Sequence, residues 1–237
     1  MMEARLNRAN WVVKGGVNLR AWFGSRRYSE DLDLDALGTA PHVLREKFDK
    51  ILLGRPLGDL LIHQGLEIGR LSKPKQTDTT QRWKIELKAA GVSVPLHTKV
   101  EFSRRGTRNE EFVLEPARSD VVRPYAVPVP TVNHYTARSA VRQKIRALAS
   151  RTETQARDIW DLDHLLRSTN ADPRPLSHDV REALPGALER AMSLGYEVFR
   201  AQVVPYLSDE DQATYGTRDS LDRMRELVVE RLEEFGV

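Results

Sequence analysis

Residues 14–35 read KGGVNLRAWFGSRRYSEDLDLD. The last five, Asp31-Leu32-Asp33-Leu34-Asp35, alternate acid with leucine. Successive side chains of a β-strand point to opposite faces. The pattern therefore predicts a strand with Asp31, Asp33 and Asp35 on one face and Leu32 and Leu34 entering a core on the other. Carboxylates crowded on one face repel, so protons, arginines or a divalent cation must neutralise them, and hard oxygen ligands suit Mg²⁺. A solvated strand edge with incidental acids is the plainer reading of this pattern taken alone. The first half of the stretch tells against it. The apolar run Trp11-Val12-Val13 precedes Gly15-Gly16, and Leu19, Trp22 and Phe23 follow at i, i+3 and i+4. That order predicts a strand, a glycine pair and a short helix ended by Gly24-Ser25. Glycine lets the backbone approach a ligand closely, and a helix N-terminus offers free N–H groups to an anion. Arg26 and Arg27 stand between helix and strand, placed to meet phosphate or to balance the aspartates.

The 237 residues include 37 Lys+Arg against 34 Asp+Glu, and no Cys. Disulfides, thiolate metal sites and Cys nucleophiles are thereby excluded. A net charge of +3 is too mild to demand nucleic acid, although a pI near 9.2 permits it. No apolar run reaches transmembrane length and the first thirty residues lack a signal-peptide pattern, which predicts a soluble cytoplasmic protein with no membrane partner. The six His show no metal-ligand spacing, and neither Gly-x-Ser-x-Gly nor a P-loop pattern occurs.

Taken in order, residues 1–10 read as a polar lead-in. Residues 41–53 read as a helix with Val43, Leu44, Phe48, Ile51 and Leu52 on its apolar face, and residues 57–65 as a second short helix. Residues 66–68 begin a strand and residues 72–81 read as a polar loop. Residues 82–89 and 97–103 alternate on either side of residues 91–95, which predicts a hairpin. Its second strand sets Lys99, Glu101 and Ser103 opposite Val100 and Phe102. The proline-rich residues 124–131 read as an extended linker, and prolines 124, 128 and 130 speak against a helix there. Beyond it, residues 135–150, 152–166, 177–204 and 217–235 carry helical periodicity, the third with a kink at Pro185-Gly186. The expected architecture is a mixed α/β domain over residues 1–130, followed by an α-helical domain over residues 131–237.

Gly15-Gly16 followed by Arg27-Tyr28-Ser29-Glu30-Asp31-Leu32-Asp33 resembles the signature of the AbiEii/AbiGii-type toxin family within the nucleotidyltransferase superfamily. In the helical half, Lys144 followed by Arg157-Asp158-Ile159-Trp160-Asp161-Leu162 resembles that family's second pair of motifs. The resemblance implies a nucleotidyltransferase fold, a type IV-like toxin–antitoxin setting and a cognate antitoxin. It implies transfer of a nucleoside monophosphate from an NTP to an acceptor hydroxyl, the 3′ end of tRNA, with loss of pyrophosphate and inhibition of translation. It also implies roles for residues. Asp31, Asp33 and a third strand acid hold Mg²⁺, with Mn²⁺ as the alternative, and Glu101 is preferred over Glu86 as the third acid. Gly15, Gly16, Arg27, Ser29 and Lys144 hold the nucleotide in a cleft between the two domains. Lys144 and Asp158 join Asp31 and Asp33 as catalytic residues, Asp158 orienting Lys144 or receiving a ligand hydroxyl. Asp161 is read as supporting an arginine. Two rivals are an aminoglycoside-type small-molecule nucleotidyltransferase and a non-catalytic, nucleotide-binding partner of an antitoxin.

Overall fold

The computed structural model describes residues 6–104, 110–169 and 171–236. Residues 1–5 of the expected lead-in lie outside them. The chain forms two compact units. One comprises the chain up to Val17 together with Glu30–His134, and the other comprises Asn18–Ser29 and the chain from Tyr135 onward. The division expected at residue 130 differs from these units in two places. Asn18–Ser29 goes with the helices, and residues 131–134 go with the sheet.

The first unit is built on a mixed sheet of β1 (Trp11–Lys14), β2 (Asp31–Ala36), β3 (Leu66–Gln76), β4 (Thr80–Ala89), β5 (Leu96–Ser103), β6 (Phe112–Pro116) and β7 (Thr131–Tyr135). The strand order is β3-β4-β5-β2-β1-β7-β6. β2 runs antiparallel to β1 and parallel to β5, while β4 is antiparallel to both β3 and β5. Helix α1 (Gly15–Phe23) leaves β1 directly, and α2 (Pro41–Leu52) and α3 (Arg55–His63) follow β2. Pro41 opens α2, where its missing N–H would have had no helical partner in any case. The buried face of α2 is Leu44, Phe48 and Leu52, three of the five residues that the spacing selected. Phe48, Trp83 and Phe102 meet edge-on, with centroids 4.8, 5.2 and 5.9 Å apart. The Trp83 indole donates to Asp49 at 2.8 Å, so its buried polar atom is satisfied.

Two sequence expectations change here. Residues 72–81 are not a loop: β3 runs to Gln76 and β4 begins at Thr80, leaving a turn of three residues. Pro74 is tolerated because β3 is an edge strand, paired among the described residues only with β4 and irregular in register between Ser72 and Lys75. Between β6 and β7 the chain makes a short helix α4 (Ser119–Val122) and a 3₁₀ turn at Arg123–Tyr125, so Pro124 sits in a helical turn. Within the expected linker, residues 126–130 are irregular and Thr131 already belongs to β7.

The second unit packs α5 (Ala137–Ser150), α6 (Ala156–Ser168), α7 (His178–Ser193), α8 (Tyr196–Gln202), α9 (Asp209–Tyr215) and α10 (Arg218–Gly236) with Asn18–Ser29. Leu19, Val141, Ile145, Leu148, Ile159, Leu162, Leu165, Val228 and Leu232 are at most 1 % exposed and form its core. Thr136 caps α5 by accepting from the Ser139 amide at 3.3 Å. Helix α6 starts at Ala156, four residues later than the pattern at Thr152-Glu153 suggested, with Asp158 as its first-turn acid. Helix α7 continues through Pro185, and residues 196–204 form a separate helix and turn.

Candidate active site

The parallel pairing of β2 with β5 sets Asp31 beside Lys99, Asp33 beside Glu101 and Asp35 beside Ser103. On the other side, the antiparallel pairing with β1 sets Asp33 opposite Lys14. Residues in register share a face, so Asp31, Asp33, Asp35 and Glu101 look the same way, as the alternation required. Glu86 lies one strand further out, opposite His97. Glu101 is thus the acid adjacent to Asp33.

Neutralisation of these acids is uneven. Lys99 Nζ lies 2.9 Å from Asp31, Lys14 Nζ 2.6 Å from Asp35, and Arg82 2.6 Å from Glu101. Asp33 makes no hydrogen bond or ion pair among the described residues. Burial pushes its carboxyl above the ordinary Asp range, with Glu101 and Asp31 adding to the rise and Lys99 and Lys14 opposing it. Gly15 backs directly onto this carboxylate. It has φ +68°, and a Cβ there would stand 3.1 Å from Asp33 Oδ2. Left-handed backbone and close approach each call for glycine. Gly16 follows in the first turn of α1.

Among the described residues, no three His, Asp or Glu side chains converge as a ready metal site. The donor chemistry nevertheless suits a hard divalent cation: oxygen ligands on one face, centred on a half-buried carboxylate with no counter-charge in contact.

In the helical unit, Lys144 sits on α5 between two fully buried carboxylates of α6. Its Nζ is 3.1 Å from Asp158 and 2.6 Å from Asp161. Asp161 also receives Arg27 through Nη2 at 3.1 and 3.2 Å and Nε at 3.3 Å. Asp158 also receives Arg151. Burial alone would lower the Lys144 pKa, but Asp161 and Asp158 outweigh it and hold the ammonium above its ordinary value. Burial alone would likewise raise Asp158, but Lys144 and Arg151 outweigh it and hold the carboxylate below the usual range. The segment carrying Arg27 has further ties. Arg26 pairs with Asp211 at 2.7 Å, and the Tyr28 amide donates to the Tyr206 carbonyl at 2.8 Å. Ser29, half-buried, is the last residue of this segment, two positions before Asp31.

Sequence reasoning assigned no role to Lys14, Arg82, Lys99 or Arg151. Lys99 had a legible signal, since it shares strand and parity with Glu101, whereas Lys14 and Arg82 meet the acids only through strand pairing. Arg151 had none, because it lies in the irregular link before α6.

A family model for the nucleotidyl transferase AbiEii toxin of type IV toxin–antitoxin systems matches residues 2–231. The chain belongs to this family. Solved structures share the fold of this AbiEii-family chain. MenT4, a nucleotidyltransferase toxin from Mycobacterium tuberculosis H37Rv, aligns with TM-score 0.65 at 18% identity, covering 95% of this chain and 76% of its own. A putative nucleotidyltransferase from H. pylori aligns with TM-score 0.58 at 20% identity, covering 95% and 88%. JHP933 from Helicobacter pylori aligns with TM-score 0.57 at 20% identity, covering 95% and 86%. No curated protein sequence matches. The family is one of nucleotidyltransferase toxins, and its type IV setting implies a cognate antitoxin. No helix among the described residues is long and apolar enough to cross a membrane.

Proposed function

We propose that the chain transfers a nucleoside monophosphate from an NTP to a hydroxyl at the 3′ end of tRNA. The acceptor oxygen bonds to the α-phosphorus, the bond to the β-phosphate oxygen breaks, and pyrophosphate leaves. A blocked 3′ end cannot be aminoacylated, which would arrest translation and growth in the cytoplasm. The observation that carries the reading is Asp33: a half-buried carboxylate with no cation in contact among the described residues, beside Glu101 and backed by a glycine at the head of a helix. Asp31, Asp33 and Glu101 would hold Mg²⁺ or Mn²⁺, which when bound supplies neutralising charge and acidifies the attacking hydroxyl.

The remaining roles belong to the chain itself. Gly15 and Gly16 bring backbone N–H groups of the α1 N-terminus toward phosphate oxygens. Lys144 stays protonated, and with two contacts made to Asp158 and Asp161 its ammonium keeps a donor for phosphate charge developing on the leaving group. Asp158 orients that lysine. Arg27 acts through Asp161, since its guanidinium is taken up by that carboxylate and by the Tyr28 carbonyl. Ser29 is assigned to phosphate.

The test incubates the protein with Mg²⁺, total bacterial tRNA and each of four α-labelled NTPs in turn, beside Asp33→Ala. Label on tRNA that is absent from the variant supports the reading. Label passing to an aminoglycoside and not to tRNA overturns the acceptor, and no transfer to any acceptor overturns the activity.

A further inference from the structure

The face of the sheet that carries Asp33 continues across β5, β4 and β3, and its side chains can be followed by register. Trp83 and Phe102 face α2 through Phe48, so the alternate residues of β4 and β5 lie on the face of the acids. Two cross-strand rows run from the edge strand to those acids. One is Lys75, Arg82, Glu101, Asp33, and the other is Ser72, Lys84, Lys99, Asp31. Strands lie about 4.8 Å apart, so Lys75 stands about 14 Å from Asp33, three strands away. Arg82 and Lys99 pair with Glu101 and Asp31. Lys75 and Lys84 make no hydrogen bond or ion pair among the described residues. Lys84 is exposed and lies directly opposite Lys99. Like charges directly opposite across a strand pair destabilise a sheet; Asp31 answers Lys99, whereas Lys84 has no carboxylate in contact among the described residues. Beyond Glu101, the acids that β3 and β4 place on this face, Glu67 and Glu86, stand in rows further out, opposite Lys88 and His97.

We propose that these two rows are a track for the phosphodiester backbone of the acceptor RNA, crossing β3, β4 and β5 toward Asp33. The inference rests on the reading of an RNA acceptor and adds the surface that receives it. Lys75 and Lys84 contact phosphate as point charges, independent of base sequence. An acidic protein segment is the other polyanion such a surface could take. Continuity with the acids that would carry the triphosphate chemistry favours RNA.

The test measures binding of end-labelled total tRNA across a range of NaCl concentrations, without NTP, for the full chain and for Lys75→Ala/Lys84→Ala. Neither lysine is assigned to the reaction, and thermal melting monitors folding. Two lost phosphate contacts should weaken binding about 15- to 30-fold at about 0.15 M salt and reduce the slope of log affinity against log salt by about 1.4 to 1.8. Unchanged affinity and slope overturn the track, as does poly-glutamate displacing tRNA as effectively as poly-uridylate of equal charge. The transfer assay separates the two ideas. Lysine-dependent binding without any label transfer sinks the reaction and leaves the track standing. Transfer that is indifferent to both lysines sinks the track and leaves the reaction standing.

Discussion

Replacing Asp161 by Asn should be among the most destabilising single changes in the helical unit. Asp161 is fully buried and holds both Lys144 and Arg27, whose side chains are only 13% and 7% exposed. The network counts three cations, Arg27, Lys144 and Arg151, against two carboxylates, Asp158 and Asp161. Asp161→Asn leaves three cations against one carboxylate. Removing one partner of a buried pair costs about 3–5 kcal/mol, because the surviving charge stays desolvated. At about 2–4 °C per kcal/mol for a chain of this size, Tm should fall by about 6–20 °C. Lys144→Met removes a cation and leaves two against two, so it should cost less than about half as much. The combination then decides the issue. In the Asp161→Asn background Lys144 still meets Asp158, but three cations share that one carboxylate, so Lys144→Met takes away a surplus buried charge and should cost nothing further or restore stability. Thermal and urea melts followed by far-UV circular dichroism would measure all four proteins. Full additivity of the two single changes, or a loss under about 0.5 kcal/mol for Asp161→Asn, would refute the charge count.

Asp33→Asn should abolish transfer yet raise stability. A carboxyl whose folded pKa is raised loses stability as pH climbs from its unfolded value near 3.9 through the folded one, so the Asn variant should melt higher than wild type at pH 7, with the gain shrinking as pH falls toward about 4. Gly15→Ala should cost about 1–2 kcal/mol for its left-handed backbone and remove transfer by pressing on the Asp33 carboxylate; an unchanged Tm would contradict it. The depressed Asp158 contributes stability that is lost as pH falls below about 3.9, and the raised Lys144 contributes stability that is lost as pH climbs above about 10.4. The Tm difference between wild type and Lys144→Met should therefore be widest between about pH 5 and 9 and narrow at both ends.

Local patterns were legible wherever one face of an element is buried. The Asp-Leu alternation gave β2 and the direction of its acids, and the i, i+3, i+4 spacing gave the buried face of α2. Residues 72–76 were illegible as strand because no residue of β3 is buried, so neither of its faces demands apolar alternation, and Pro74 disguised it further. The start of α6 was misplaced because Thr152 and Glu153 are good helix-opening residues, while the chain keeps residues 151–155 non-helical, with Arg151 on Asp158. Pairing between distant strands has no local signature. No spacing in the sequence says that Glu101 lies beside Asp33, or that Asn18–Ser29 joins the helices 117 residues later through the Asn18 bond to the Tyr135 carbonyl.

The demand that the acidic face be neutralised is met everywhere except at its centre. Lys99, Lys14 and Arg82 answer Asp31, Asp35 and Glu101, and each of those cations could be supplied by ordinary selection for stability. Asp33 is the exception, and the fold reinforces the exception. Lys14 sits opposite Asp33 in register, yet its ammonium reaches to Asp35. Gly15 adopts a conformation that other residues resist, and its lack of a side chain keeps the space over the Asp33 carboxylate clear. A position where local stability is forgone, with its neighbours arranged to preserve the deficit, is where a fold stores function rather than structure. The same logic separates the two acid clusters of the chain. Asp158 and Asp161 are saturated with cations and hold other side chains in place, whereas Asp33 contacts no cation among the described residues, which is what its proposed role requires.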